Sequence, residues 1–322
     1  MGRREKMKHV RVGVIGLGAI GERLIQGFNA NNHTTVTAVV DKEKERAVDM
    51  AEKLGGINWY DNHKDMLANE ELDLVYVAVP PKYHHAVTMD VIDKGVHILC
   101  EKPLANSVEE AKEMLEKVEQ AGIIHAMNFP LNYSNPANSF DSLIKEGYIG
   151  KLRKLELSMN FPNWPRLWQQ NDWVAGREQG GFVLEVGVHF IQLTQRIFGS
   201  ITYQNSTLEL PEDETKCETG IIASLELEDG TPFLINGISQ IAGAERIAYT
   251  AYGTEGTLSL GDWGKLEGGK LGEETQRIEI ETTETASLID NLVAAIAGKE
   301  NRLFTFKDGY EAQVILEKLR DN

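Results

Sequence analysis

The sequence contains few cysteines, few basic residues and no long apolar run. Only two cysteines, Cys100 and Cys217, occur in 322 residues, and no C-x-x-C or Cys/His cluster has the spacing of zinc ligands. We therefore expect no metal site and a reducing, cytoplasmic location. With 33 Lys and Arg residues against 49 Asp and Glu residues, the formal net charge is -16 at pH 7. This balance argues against nucleic acid and membrane surfaces as partners, because both usually bind clustered positive charge.

No apolar stretch approaches the roughly 20 residues of a membrane span. The basic opening, residues 1–11, leads into the apolar run "VGVIGLGAIG", but Glu22 and Arg23 end that run and no A-x-A cleavage site follows. We interpret the opening as the lead-in to a first strand rather than as a signal peptide. A chain of 322 residues with 42% hydrophobic and 25% charged residues is typical of a soluble protein with two domains.

Residues 10–128 alternate short Val- and Ile-rich runs with longer amphipathic segments. The runs are apolar throughout, which suits strands covered on both faces, and strict β-α alternation indicates a parallel, doubly wound sheet. We therefore predict an α/β fold with a Rossmann domain over residues 1–128.

After Asn128 the pattern changes. Helix-like segments, "NPANSFDSLIKEGYIG" and "FVLEVGVHFIQLTQRIFG", lie on either side of an aromatic-rich irregular stretch, and period-two runs such as "ETGIIASLELEDG" follow. Helix-like pieces near residues 286–297 and 308–319 close the sequence. We predict a second, α+β domain over residues 129–322, with a large, mainly antiparallel open sheet.

A glycine-rich motif opens the first β-α unit. Gly16, Gly18 and Gly21 have G-x-G-x-x-G spacing directly after a predicted strand and at the start of a predicted helix. The first glycine permits a tight turn, the second lets the backbone approach a pyrophosphate, and the third lets the helix pack on the strand. We predict a dinucleotide site here, at the helix N-terminus, that includes Ala19 and Ile20.

Asp41 ends the second predicted strand, twenty residues after Gly21. An acidic residue at this place accepts hydrogen bonds from the adenosine ribose and repels a 2'-phosphate, so we predict NAD rather than NADP as the cofactor. Lys42, the next residue, would weaken that repulsion. A carboxylate that only caps the following helix is the alternative interpretation.

Two further predicted strands end in segments that contain proline. The run "VHILCE" is followed by Lys102 and Pro103, and the proline favours extended backbone at Lys102 and ends the strand. The carboxyl ends of strands line the ligand crevice of a doubly wound sheet. The residues that we expect at the cofactor site for this reason are Val79, Pro80, Pro81, His84, Glu101 and Lys102.

The glycine motif, "PPKYHH", "GVHILCEKPLANSVEEA" and "GGFVLEVGVHFIQL" together resemble the Gfo/Idh/MocA family, named after glucose-fructose oxidoreductase, inositol dehydrogenase and rhizopine catabolism. The resemblance extends over nearly the whole chain. It implies hydride transfer between nicotinamide and a secondary alcohol, or the ketone, of a sugar, inositol or related polyol. It also implies a homodimer or homotetramer formed through the open C-terminal sheet.

The resemblance assigns catalytic roles to three residues. Lys102 matches the lysine that orients the reacting hydroxyl and assists proton transfer, and a surface ion pair is the alternative. Glu185 and His189 are four residues apart and so share one face of a predicted helix. His189 matches the general base, and Glu185 stands where the family usually has an aspartate that orients the base. A satisfied core histidine is the alternative for His189.

Three tryptophans, Trp164, Trp168 and Trp173, lie in the proline-containing segment "PNWPRLWQQNDW". Aromatic faces stack on the C–H face of a sugar ring, so these residues are candidate substrate contacts. A small hydrophobic clasp on a loop is the alternative interpretation.

Asn128 and Tyr133 are candidate hydrogen-bond partners of substrate hydroxyls. Many relatives have arginine where this chain has Asn132 and Tyr133, so the sequence favours a neutral substrate over a carboxylate or a phosphate. The leading hypothesis is an NAD-dependent dehydrogenase of a neutral cyclic polyol or sugar. Two alternatives use the same fold: a glycosidase that uses bound NAD for transient oxidation, and a non-catalytic regulator that senses the cofactor.

Overall fold

The computed structural model describes residues 9–280 and 285–321. The chain divides into two compact units, Met1–Asn128 with Ala286–Tyr310, and Phe129–Thr285 with Glu311–Asn322. Most of the basic opening, residues 1–8, lies outside the described residues, so the predicted lead-in is not described. Within the described residues, no helix is both long enough and apolar enough to span a membrane.

The first unit is built on a six-stranded sheet in the order β3-β2-β1-β4-β5-β6, in which every neighbouring pair is parallel. Its strands are β1 (Val10–Ile15), β2 (Thr34–Val40), β3 (Asn58–Tyr60), β4 (Leu74–Val77), β5 (His97–Cys100) and β6 (His125–Met127). All four residues of β4 are buried, as expected for a strand covered on both faces. The predicted doubly wound parallel sheet is confirmed.

Helices connect and cover the strands of both units. The α-helices are α1 (Ala19–Ala30), α2 (Lys44–Lys53), α3 (His63–Asn69), α4 (His84–Asp93), α5 (Val108–Ala121), α6 (Asn135–Lys145), α7 (Val188–Phe198), α8 (Leu288–Ile296) and α9 (Phe306–Arg320). Shorter 3-10 turns occupy Pro81–Tyr83 and Pro130–Tyr133.

The second unit contains an eight-stranded sheet in the order β14-β13-β12-β11-β7-β10-β9-β8. Its strands are β7 (Leu152–Phe161), β8 (Ile201–Glu209), β9 (Gly220–Leu227), β10 (Pro232–Ser239), β11 (Arg246–Gly253), β12 (Gly256–Gly261), β13 (Lys265–Lys270) and β14 (Gln276–Arg277). The pair β7–β10 is parallel and the other pairs are antiparallel. Buried and less buried residues alternate along β10, so one face is open, and the predicted open sheet is confirmed.

Residues 286–310 belong to the first unit, whereas the sequence analysis assigned them to the second domain. Two contacts explain the difference. The Asn31 side chain at the end of α1 donates a hydrogen bond to Asp290 in α8 (2.8 Å). The backbone N–H of Met127 in β6 donates to the carbonyl oxygen of Phe304 (2.7 Å), so this segment is hydrogen-bonded to the edge strand of the parallel sheet. Neither contact has a local sequence signal, because both join residues far apart in the chain.

The predicted helix over residues 182–198 consists of two segments. Val183–Gly187 is a π-helical turn, and α7 continues from Val188 to Phe198. Single π-helical turns within helices are frequent at functional sites. Because a π-helix has more residues per turn than an α-helix, the predicted shared face of Glu185 and His189 cannot be taken from ideal α-helical spacing.

Candidate active site

The glycine motif forms a tight loop between β1 and α1. Gly16 has φ +98°, which side chains rarely adopt, and a Cβ there would overlap the carbonyl oxygen of Ala78. A Cβ at Gly21 would overlap the carbonyl oxygen of Gly16. These two glycines therefore let the loop close against the end of β4 and let α1 pack against the loop.

Gly18 precedes the first turn of α1 and faces open space. No atom lies within 4 Å of the position that a Cβ would occupy, and no side chain caps the helix. Ala19 is exposed and Ile20 is half-buried. Backbone N–H groups at a helix N-terminus bind anions, phosphates above all. The loop therefore fits the pyrophosphate of a dinucleotide, and a larger residue at Gly18 would occupy the space beside it.

Asp41 lies directly after β2 and is buried. Its Oδ2 accepts a hydrogen bond from the Leu17 N–H (2.9 Å), and its Oδ1 accepts one from the Glu43 N–H (2.9 Å). The Arg46 guanidinium lies 3.2 and 3.1 Å from the two carboxylate oxygens. Asp41 thus fastens the glycine loop to the start of α2, while Lys42 is exposed. The sequence analysis missed Arg46, because its spacing from Asp41 matches no standard motif.

Glu101, directly after β5, is buried in a hydrogen-bonded cluster. Its Oε1 accepts hydrogen bonds from the Tyr76 hydroxyl (2.5 Å) and from the Asn128 side-chain nitrogen (2.5 Å). Burial raises the pKa of the Glu101 carboxyl, and these hydrogen bonds act in the opposite direction. The Lys102 N–H also approaches its Oε2 (3.3 Å), and the Lys102 side chain is half-buried. The cluster holds the backbone of Lys102 at the carboxyl edge of the sheet.

His84 is fully buried and joins two loops. Its Nδ1 lies 2.7 Å from the carbonyl oxygen of Pro103, and its Nε2 lies 2.8 Å from that of Val79. Burial lowers the pKa of the imidazole, so at neutral pH the ring is neutral and donates only one of these hydrogen bonds. His84 therefore acts on the candidate site through the Val79–Pro81 and Lys102–Pro103 segments that it connects, rather than by facing a ligand itself.

His189 and Glu185 lie on the helical segment that opens α7, in the second unit. The His189 side chain is almost fully buried, and its ring meets the rings of Phe129 (6.2 Å between centroids) and Trp263 (5.4 Å) edge to face. The Oε2 of Glu185 accepts a hydrogen bond from Gln169 Nε2 (2.8 Å), which ties the tryptophan-containing loop to this helix. The sequence analysis missed both Gln169 and Trp263.

Asn132 is a buried connector between the Pro130–Tyr133 turn and α7. Its side-chain nitrogen donates to Gln192 Oε1 (2.5 Å), and its Oδ1 accepts from Arg196 Nη1 (2.8 Å). Arg196 also donates to Asp141 Oδ2 (2.9 Å). This network fixes the turn that carries the half-buried Tyr133.

The three tryptophans of the loop after β7 differ in their surroundings. The Trp164 ring packs edge to face against Phe161 (5.0 Å) and Phe182 (5.9 Å), which is the predicted alternative of a hydrophobic clasp. Trp168 is 58% exposed. Trp173 is half-buried, and its carbonyl oxygen accepts a hydrogen bond from the Gly176 N–H (3.1 Å).

Glu218, which precedes β9, lies at the start of the helical segment that carries Glu185 and His189. Its Oε1 accepts a hydrogen bond from the Val183 N–H (2.8 Å), and only 4% of the residue is exposed. Burial raises the pKa of the Glu218 carboxyl. Glu218 thus satisfies one of the N–H groups that a helix start leaves without an intrahelical partner.

Two protein-family models match this chain. Residues 10–129 match the GFO/IDH/MocA model described as an oxidoreductase family with an NAD-binding Rossmann fold, and residues 139–259 match the GFO/IDH/MocA C-terminal domain. The chain belongs to the Gfo/Idh/MocA family. It is therefore an NAD(P)-binding oxidoreductase, as the resemblance of its motifs predicted.

Several known proteins resemble this chain at low sequence identity. A dTDP-3,4-didehydro-2,6-dideoxy-alpha-D-glucose 3-reductase from Streptomyces violaceoruber is 28% identical over 266 residues, 80% of this chain and 75% of that protein. A 2,7-anhydro-N-acetylneuraminate hydratase from Escherichia coli is 28% identical over 193 residues, 60% of this chain and 50% of the hydratase. A levoglucosan dehydrogenase, solved with NADH and L-sorbose, superposes with a TM-score of 0.83 at 18% identity, covering 98% of this chain and 96% of that one. At this identity the structural likeness shows the fold.

Glu218 offers a test of how the helical segment is held in this family member. Replacing Glu218 by alanine leaves the buried Val183 N–H without its acceptor, so we expect a loss of about 1–3 kcal/mol in the free energy of unfolding. Glu218→Gln keeps an acceptor oxygen and is the matched control, with a smaller loss. Denaturant titrations measure both.

The pH dependence of stability, compared between the wild type and Glu218→Gln, gives a second test. Because the folded pKa of Glu218 is raised above the ordinary value of 4.5, its contribution to stability is fully present below pH 4.5 and is lost as pH rises through the raised pKa. The stability of Glu218→Gln relative to the wild type should therefore increase as pH rises above 4.5. A difference that stays constant with pH would contradict the buried, perturbed carboxylate.

Proposed function

We propose that this chain is an NAD-dependent dehydrogenase that transfers a hydride between nicotinamide and a secondary alcohol, or the corresponding ketone, of a neutral sugar, inositol or related polyol. The main support for this proposal is the set of segments at the carboxyl edge of the parallel sheet. The glycine loop follows β1, the Val79–Pro81 segment follows β4, and Glu101 with Lys102 follows β5. Ligands of doubly wound sheets bind at this edge.

NAD is the cofactor that Asp41 favours. A 2'-phosphate would be placed beside a carboxylate and would compete with it for Arg46, whose guanidinium contacts both Asp41 oxygens. The hydrogen bonds from the Leu17 and Glu43 N–H groups hold the carboxylate in place. NADP is therefore the less favoured cofactor, although Arg46 supplies a positive charge near this position.

Lys102 and His189 each assist the proton transfer of the reaction. The glycine loop and the Val79–Pro81 segment would hold the dinucleotide, whose nicotinamide would supply the hydride acceptor in oxidation and the hydride donor in reduction. The Lys102 ammonium donates a hydrogen bond to the reacting oxygen and stabilises the charge that develops there. The His189 imidazole takes the hydroxyl proton in oxidation and returns it in reduction. Glu185, held by Gln169, orients the helix segment and the base.

The contacts of Arg196 support a neutral substrate. This guanidinium is committed to Asn132 and Asp141, with only 9% of its side chain exposed, so it forms part of the scaffold. The Tyr133 hydroxyl remains our candidate partner for a substrate hydroxyl. The Asn128 side-chain nitrogen donates to Glu101, so we assign Asn128 to the support of the Glu101–Lys102 segment instead of to the substrate.

A second candidate is a reaction without net oxidation, in which bound NAD is reduced and reoxidised in each turnover. The similarity to a 2,7-anhydro-N-acetylneuraminate hydratase favours this reaction. It is the type of reaction that the alternative considered from the sequence, a glycosidase that uses bound NAD, would also catalyse. Steady-state absorbance of reduced nicotinamide separates the two, because this reaction releases product without accumulating NADH.

The proposed function predicts a specific substrate and cofactor profile. With a panel of inositols, aldoses and their lactones, we expect NADH formation with at least one neutral cyclic substrate, or NADH consumption with its ketone or lactone. The value of kcat/KM should favour NAD over NADP by about tenfold or more, which corresponds to about 1.4 kcal/mol. Asp41→Ser should narrow that ratio and leave the order of substrates unchanged. Preference for anionic sugars, or for NADP, would contradict the assignment.

We further propose that the chain forms a homodimer or homotetramer through the open face of the eight-stranded sheet. Ile222, Ile238 and Tyr252 are 70%, 39% and 36% exposed on strands β9, β10 and β11. Exposed apolar side chains on one face are typical of an interface. We also propose a cytoplasmic location, since the chain has only two cysteines and neither forms a disulfide in the fold.

A further inference from the structure

Trp263 lies at the tip of the hairpin that joins β12 to β13, in the second unit. Asp262 and Trp263 have φ values of 43° and 66°, in the left-handed region that favours glycine. Among the described residues, Gln240 is the one other non-glycine residue with positive φ. Left-handed backbone at a tryptophan is conformationally unfavourable, and such strain concentrates at ligand-binding positions.

The strained tip is held by its neighbours. The Asp262 N–H donates to the Ile247 carbonyl oxygen (2.9 Å), and Asp262 Oδ1 accepts from the Ile247 N–H (3.2 Å). Asp262 Oδ2 accepts from Lys265 Nζ (2.8 Å), and the Gly264 N–H donates to Gly261 O (3.0 Å). These contacts fix the backbone of Trp263, and with it the direction in which the indole leaves the hairpin.

The indole is placed against the proposed general base. Its ring lies 5.4 Å from the His189 ring at an interplanar angle of 86°, and 5.5 Å from the Phe190 ring at 38°. Another aromatic neighbour of His189 is Phe129, which is 1% exposed, whereas Trp263 is half-buried. Of these two aromatic neighbours of the imidazole, Trp263 is the one with accessible surface left for another molecule.

We propose that Trp263 is a specificity-determining residue of the substrate site, whose indole covers the apolar C–H face of a ring-shaped sugar or polyol while a hydroxyl of that ring reaches His189. The inference rests on the proposed function and refines its substrate class to cyclic molecules. Aromatic side chains offer a large rigid apolar surface at little entropic cost. The Trp164 ring, by contrast, packs against the rings of Phe161 and Phe182.

A purely structural role, in which the indole only covers Phe190, makes a different prediction. A structural indole would lower thermal stability and kcat for every substrate alike when it is removed. A substrate-stacking indole would change KM for rings while sparing molecules that lack a continuous C–H face. The comparison of a cyclic and an acyclic probe therefore decides between the two roles.

The experiment uses the intact chain with myo-inositol and D-glucose as cyclic probes and D-sorbitol as the acyclic probe. For Trp263→Leu we expect KM for the accepted ring to rise about tenfold, with kcat changed less than about threefold. KM for sorbitol, if it is turned over, should stay unchanged. Trp263→Phe should restore most of the affinity, and Trp59→Phe, a half-exposed tryptophan of the first unit, is the control.

Ring binding is also measured without turnover, by saturation-transfer NMR of the same probes. A wild type that binds a ring without oxidising it, with binding lost in Trp263→Leu, supports the role of Trp263 and contradicts the proposed function. A Trp263→Leu protein whose ring KM and ring binding equal those of the wild type overturns the inference and leaves the dehydrogenase intact. Equal losses for the ring and for sorbitol, together with a lower Tm, overturn it in favour of the structural role. A wild type that neither binds nor oxidises any of these rings counts against both.

Discussion

Lys102→Met is expected to lower kcat by about 10²- to 10⁴-fold, the range usually lost with a residue that assists proton transfer. Methionine keeps the length and the apolar stem of lysine, so the half-buried space after β5 stays filled while the ammonium is removed. Glu101 would still be held by Tyr76 and Asn128, so the backbone of the sheet edge should keep its position. Steady-state turnover measures the loss, and fluorescence titration with NADH should give nearly the wild-type affinity.

Lys112→Met is the matched control for this experiment. Lys112 lies on α5, its side chain is 62% exposed, and its partner is Glu116 at 3.7 Å, so its removal should change turnover less than about twofold. If Lys102→Met turned over at the rate of this control, the role assigned to Lys102 would be refuted. A large loss of NADH affinity in Lys102→Met would assign the lysine to cofactor binding instead.

His189→Asn is expected to lower kcat by a comparable factor of about 10²–10⁴, because the hydroxyl proton loses its acceptor. Asparagine keeps a polar group of moderate size between Phe129 and Trp263 but is a far weaker base. The folded structure should survive, which a Tm within a few degrees of the wild type would show. His85→Asn, on a histidine that pairs with Glu113 at 2.9 Å, is the control and should keep wild-type turnover.

The double variant Lys102→Met/His189→Asn tests whether the two residues assist the same step. Residues that act as a unit show strongly non-additive losses. We expect the double variant to be only slightly slower than the slower single variant. Losses that multiply would show independent roles, and an active His189→Asn protein would favour the alternative of a core histidine.

The parallel sheet and the glycine loop could be predicted from sequence because their determinants are local. Gly16, Gly18 and Gly21 lie within six residues; close backbone contacts of that same loop require Gly16 and Gly21, and Gly18 leaves open space at the start of α1. The fully apolar run of β4 and the Ser107 hydroxyl that accepts from the Glu110 N–H at the start of α5 are equally local signals. The open antiparallel sheet followed from period-two runs for the same reason.

Residues that act through distant partners had no such signal. Arg46 matters because it contacts Asp41, and Asn128 is occupied because β6 ends next to β5, where Glu101 lies. The sequence predicted substrate contacts from the tryptophans clustered in the loop after β7. The indole that meets the His189 ring belongs instead to Trp263, which lies 74 positions after His189 in the chain.

By itself, the sequence determined the family, the two sheet types and the order of the motifs, since composition, periodicity and short-range spacing specify local backbone geometry. Only the tertiary structure decided that residues 286–310 join the first unit, that a π-helical turn precedes α7, and that Glu218 and Trp263 adjoin the segment carrying His189. The physical reason is that packing and hydrogen bonding pair groups by their distance in space, and a strand or hairpin can bring to one place residues that no sequence window contains.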